Sequence, residues 1–159
     1  APTPSKQCGV GQKHIVHNSK FLPIEWDKVV LWDEDGGQKC NKGNYYDYSG
    51  KPYRKPTNFT NHWDVCLSSE SCARVLNQRG VSCHFNIDND GTIYQLLDTG
   101  MATSTESELK FQMHIIRSIK GGTKRMALVL DRSLRKAMQS CTGKAWKSTW
   151  TSIQFRLKH

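Results

Sequence analysis

At 159 residues the chain has the length of one domain, enough to bury a sizeable core. A mean hydropathy of -0.65, with no apolar run near the ~20 residues a bilayer demands, excludes a membrane-spanning helix. Charge is uneven: residues 1–100 carry 11 Lys+Arg and 11 Asp+Glu, residues 101–159 carry 12 and 3, so the whole net +9 sits in the C-terminal part.

In chain order, residues 1–20 open on "APTPSKQCG", with no Met and no apolar leader, as a processed N-terminus or an engineered boundary would. They are polar and hold Pro2, Pro4, Gly9 and Gly11, which predicts a loosely held arm. Residues 28–32 predict a short strand closed by the acidic "DEDGG" turn. Residues 38–57, rich in Gly, Asn, Tyr, Lys and Pro, predict a long surface loop. "TNHWDVC" ends a second strand. "SSESCARVLNQRG" has a Ser start, helical apolar spacing at Cys72, Val75 and Leu76, and a stop at Gly80. "SCHFNID" and "TIYQLLD" alternate apolar and polar residues around "NDG", a strong hairpin signal. Beyond Thr99, "ELKFQMHIIRSI" fits strand or helix. "RMALVLDRSLRKAMQSC" spaces Leu130, Leu134, Ala137 and Met138 for a basic amphipathic helix, and the last residues fit a terminal strand. The order predicts an α/β domain. Its organisation is a polar arm over 1–20, a domain portion over 21–98 and a basic segment over 99–159 of unassigned structure.

Few residues carry chemistry. His62 closes an extended segment before a helix, where a neutral imidazole would suit Zn²⁺ at about 2.0–2.1 Å; a lone His beside a Trp is more often structural. Cys66 and Cys72 in "CLSSESC" lack two further ligands at matching spacing, so a local disulfide of about 2 kcal/mol fits better than zinc. His84 reads first as a partly buried histidine hydrogen-bonded across the sheet rather than a ligand. Asp88, Asn89 and Asp90 are turn residues, because a calcium loop needs further carboxylates. Six cysteines, and an "NFT" sequon at Asn58, fit an oxidising, secretory setting.

Taken together, "HWDVC", "CLSSESC" and "SCHFNIDNDGTIYQLLD" resemble the zinc-dependent N-acetylmuramoyl-L-alanine amidases and the related peptidoglycan-recognition proteins. The likeness is close over residues 60–98 and loose over 21–59. It implies a central mixed sheet flanked by helices, with a zinc groove on one face. It implies hydrolysis of the amide between N-acetylmuramic acid and the first stem-peptide alanine, by a zinc-activated water. His62 carries over as the first zinc ligand, Cys66–Cys72 as a bridge, and Trp63, Asp64, Cys83 and His84 as substrate-groove positions. Cys83 stands where many members have a Tyr. The family's later ligands have no counterpart: after Thr99 only His114, Cys141 and His159 remain, none in a family motif. The resemblance therefore implies a secreted, amidase-like protein acting on peptidoglycan or muramyl peptides, with an incomplete zinc site and impaired activity. The alternatives are a non-catalytic peptidoglycan binder and, from the 101–159 charge alone, a nucleic-acid binder without a recognised motif.

The stop at Thr99 has a candidate cause. Family members continue with "W-H-A/G", "S-I-G-V-E-I-S-N-A" and, in some, "W-Y-x-x-N-G-F-G". One legal coding of "ESELKFQM", GAA TCG GAG TTG AAA TTT CAA ATG, gives Ile-Gly-Val-Glu-Ile-Ser-Asn when read two nucleotides later. In the same frame "GGTKRMAL" permits Trp-Tyr-Lys-Thr-Asn-Gly-Phe and "TGMA" permits Trp-His-Gly. Residues from about Thr99 onward thus read as an out-of-frame translation, with ordinary divergence as the alternative. The first reading predicts few long-range contacts from this segment.

Overall fold

A computed structural model describes residues 13–24, 26–52, 58–64, 67–88, 90–103, 110–116 and 147–150, with positions 132, 133, 135, 136 and 139; over 58–64, 110–116 and 147–150 the description is of backbone. The fold is α/β. A six-stranded mixed sheet runs in the order Lys147–Trp150 (β10), Asn58–Asp64 (β5), Lys110–Ile116 (β9), Phe85–Ile87 (β6), Ile93–Gln95 (β7) and Val29–Leu31 (β3), and a ten-residue helix, Ser69–Gln78 (α1), packs beside it.

The chain begins with a hairpin, β1 (His14–His17) with β2 (Lys20–Pro23). Its two turn residues, Asn18 and Ser19, both have left-handed backbone (φ 50 and 63), as a two-residue hairpin turn requires. The Asp98 carboxylate holds that turn, accepting from Asn18 N at 2.7 Å and Ser19 N at 2.8 Å. The arm expected over residues 1–20 therefore does not extend to 14–20. Ile15 and Val16 are fully buried. A turn without Gly, closed by a carboxylate 79 residues away, leaves no local signal.

β3 (Val29–Leu31) pairs with β7 in parallel. The loop that follows carries β4 (Tyr45–Tyr46), antiparallel to β8 (Ala102–Thr103). β5 (Asn58–Asp64) leads toward α1 (Ser69–Gln78). The Ser68 hydroxyl caps α1, accepting from Ser71 N at 3.1 Å. Gly80, at φ 71, supplies the left-handed residue that ends it. α1 buries Ser69, Cys72 and Ala73. β6 (Phe85–Ile87) and β7 (Ile93–Gln95) form the expected hairpin, closed by Asp88 N donating to Thr92 O at 2.9 Å and turned at Gly91, φ 87. Cys40, Ala73, Cys83, Leu96 and Leu97 make a core cluster between α1, the hairpin and the 32–44 loop.

The C-terminal segment joins the sheet, contrary to the expectation of few long-range contacts. β9 (Lys110–Ile116) lies between β5 and β6, parallel to both, and all seven of its residues have partners on β5. β10 (Lys147–Trp150) adds a parallel edge strand to β5. The ambiguous 110–116 stretch is a strand because Phe111, Met113 and Ile115 alternate with polar residues. Positions 132, 133, 135, 136 and 139 are helical, and Arg132, Lys136 and Gln139 are exposed, as on the polar side of the expected helix. Leu130, Leu134, Ala137 and Met138 lie outside the described residues. Among the described residues no helix is long and apolar enough to cross a membrane.

Candidate functional site

The sheet register fixes where the candidate residues sit. His62, His114, Asn86, Tyr94 and Val30 are successive Cα partners across β5, β9, β6, β7 and β3. His62 and His114 thus occupy neighbouring positions on one transverse row, a strand spacing of about 4.8 Å apart. Trp63 and Asp64 continue β5 opposite Ile115 and Ile116.

The third position of the row is Asn86, fully buried and fully used. Its Oδ1 accepts from Cys83 Sγ at 3.4 Å and faces Cys72 Sγ at 3.8 Å. Its Nδ2 donates to Gln38 Oε1 at 3.3 Å and Ser69 O at 3.5 Å. A catalytic zinc takes three protein ligands and a water. Here the neighbour of the two histidines is a committed amide, and among the described residues no three His, Cys, Asp or Glu side chains gather. Of His62 and His114 the described residues give the backbone alone. Cys66, Cys141 and His159 lie outside them, and with Cys66 so does the expected bridge to Cys72.

Two groove expectations are corrected. Cys83 and His84 are fully buried, not on an open groove wall. The 32–44 loop covers Cys83: Cys40 Sγ donates to Cys83 O at 3.4 Å. His84 Nε2 donates to Met101 O at 2.8 Å, and His84 O accepts from Leu96 N at 2.8 Å. His84 is thus hydrogen-bonded, as its strand context suggests, but it is fully buried rather than partly, and its ring bonds to the 98–101 turn. Burial in this cluster pushes the Cys40 thiol up to about 11, so it stays protonated at neutral pH.

A cleft of about 640 Å³ opens elsewhere. Trp32 follows β3, residues 96–98 and Met101 follow β7, and the 39–49 loop brings Lys39, Lys42, Tyr45 and Asp47 to its rim. The cleft lies beyond the ends of β3 and β7. β5 runs the other way, its His62–Asp64 end pointing toward the 88–92 turn, and lies three to four strands, about 14–19 Å, to the side. The cleft is therefore not the groove expected around His62. Reading residues 38–57 as surface loop passed over it. The available signal was the clustering of Lys, Asn and Tyr in "KCNKGNYYDYS".

Comparison of the chain with protein-family models, curated proteins and solved structures gave no match.

Proposed function

We propose that the chain is an N-acetylmuramoyl-L-alanine amidase-like protein, secreted, that engages peptidoglycan and whose amide hydrolysis is impaired. One arrangement supports this most. β5 ends in His62, Trp63 and Asp64, α1 follows, and the β6–β7 hairpin returns to the same sheet with Asn86 on the His62 row, one strand removed. That is the order the resemblance requires, built from the residues that carry it. Impairment follows from ligand count, since His62 and its register neighbour His114 are two histidines where three ligands are needed. The same count favours binding without catalysis as the second reading.

The test uses purified cell-wall sacculi. Co-sedimentation with sacculi, without chelator-sensitive release of stem peptide, is the expected result. Robust release abolished by chelator would show that further ligands complete the site and would overturn the impairment. Failure to sediment, with salt-sensitive retention on DNA instead, would sink the peptidoglycan reading and favour the basic 101–159 segment as a nucleic-acid binder.

A further inference from the structure

The cleft past β3 and β7 uses none of the residues that the peptidoglycan reading rests on, and its lining has a chemistry of its own. Trp32 and Tyr45 are half-buried aromatic side chains, and Leu97 and Met101 supply apolar surface. Four charged groups border this surface, two of each sign. The carboxylates are already spoken for. Asp98 accepts three backbone N–H groups, from Asn18, Ser19 and Gly100, at 2.7, 2.8 and 2.7 Å. Asp47 accepts from Ser49 N at 2.8 Å, and the Ser49 hydroxyl first, then this backbone bond, ahead of the nearby Lys51 and Lys42 charges, hold its carboxyl below the usual range. Lys39 and Lys42 are exposed and form no ion pair among the described residues. The unsatisfied charge of the cleft is positive.

The segment bearing both lysines is held in place before any ligand arrives. The Asn77 side chain of α1 accepts from Asn41 N at 2.8 Å and donates to Lys39 O at 3.0 Å, clasping the backbone on both sides of Cys40. Asn44 Nδ2 adds a bond to Asn77 O at 3.4 Å. On the far wall, Tyr48 N donates to Met101 Sδ at 3.2 Å, and β4 pairs with β8. A cleft fixed by such contacts spends little binding energy on ordering its own walls.

We propose that this cleft binds a carboxylate-bearing sugar, its ring against Trp32 and Tyr45 and its carboxylate between Lys39 and Lys42. A pyranose ring has an apolar face that suits an aromatic wall, and polar hydroxyls that suit a half-open site. The carboxylate meets two ammonium groups that form no ion pair among the described residues. Two sources share this chemistry: muramic acid freed of its peptide, and the uronic acids of acidic polysaccharides.

The test is titration of the full chain at low salt with N-acetylmuramic acid, D-glucuronic acid and, as neutral control, N-acetylglucosamine. At least one acid should bind roughly tenfold more tightly than the neutral sugar, the scale of two partly exposed charge contacts, and added salt should erode the preference. Whichever acid binds identifies the source. The double variant Lys39→Gln/Lys42→Gln removes exposed side chains only, so it should keep its urea midpoint and lose the preference. Trp32→Ala should weaken every sugar that binds. Equal binding of acid and neutral sugar, no binding of any, or a preference intact in the double variant overturns the proposal. Sedimentation with sacculi is read separately, so loss of one result does not decide the other.

Discussion

Replacing Gln95 with leucine isolates how the first hairpin is attached to the sheet. Gln95 is the last residue of β7, and its side chain is fully buried. Its amide meets the backbone of Val16 as a neighbouring strand would: Oε1 accepts from Val16 N at 2.7 Å, and Nε2 donates to Val16 O at 2.7 Å and to Leu97 O at 3.0 Å. Gln95→Leu keeps the volume and removes all three bonds. Val16 O retains Thr99 N at 3.3 Å and the Thr99 hydroxyl at 3.2 Å. Val16 N retains nothing comparable and is left buried, at about 1–3 kcal/mol. Two lost acceptor contacts add about 1 kcal/mol, and the added apolar burial of leucine returns a similar amount. The net loss is about 2 kcal/mol, a fall in urea midpoint of about 1 M at unchanged slope. Gln95→Glu tests the same contacts through pH. A carboxylate there would set an anion against the Val16 and Leu97 carbonyls, so its folded pKa is raised. The protonated acid can donate as Nε2 does, so this variant should be near normal below the unfolded pKa of about 4.3 and lose stability as pH rises toward the folded value. A Gln95→Leu midpoint equal to or above the parent's would refute the account.

Two further perturbations probe the same region. Asp98→Ala frees three N–H groups and releases a turn whose two residues sit at φ 50 and 63; thermal or urea unfolding should show a loss of about 3 kcal/mol, and Asp98→Asn, which keeps one acceptor oxygen, about half of that. Cys40 is raised by burial from 9.0 to about 11, so from pH 9 to 11 the unfolded chain releases a proton that the folded chain keeps, and stability falls across that window by up to about 3 kcal/mol; urea midpoints against pH should fall more steeply for the parent than for Cys40→Ala.

Much of residues 58–98 was legible because each element carries its own signal. Ser68 and Gly80 bracket α1, and Asp88 to Gly91 close the β6–β7 hairpin. These are local events, and a local pattern reports them. What was not legible depends on partners distant in sequence. The Asn18-Ser19 turn leans on Asp98, β1 leans on the Gln95 amide, and the lysine-bearing loop leans on Asn77. Cys83 and His84 alternate as a half-exposed strand would, yet the loop at Cys40 closes over Cys83 and the 98–101 turn meets the His84 ring. The cleft followed the same rule: its walls come from segments far apart in sequence, and none has a motif.

The C-terminal segment shows why sheet and chemistry separate. If residues after Thr99 are read out of frame, the family's motifs are gone, and a sheet left open at β5 and β6 is the expectation. Yet β9 fills the position between those strands along its whole length. A central strand asks for little: an extended backbone, apolar side chains for the face it buries and some β-branched residues, which "KFQMHII" has. Many unrelated sequences meet that demand. A zinc site asks for particular atoms at particular places, and no alternation supplies them. The row across the sheet carries both outcomes. His114 falls beside His62 through register alone, and Asn86 beyond it is already bound to Gln38, Ser69 and the two thiols. A frame shift would therefore cost this chain its chemistry well before its architecture, because backbone pairing tolerates substitution and a coordination sphere does not.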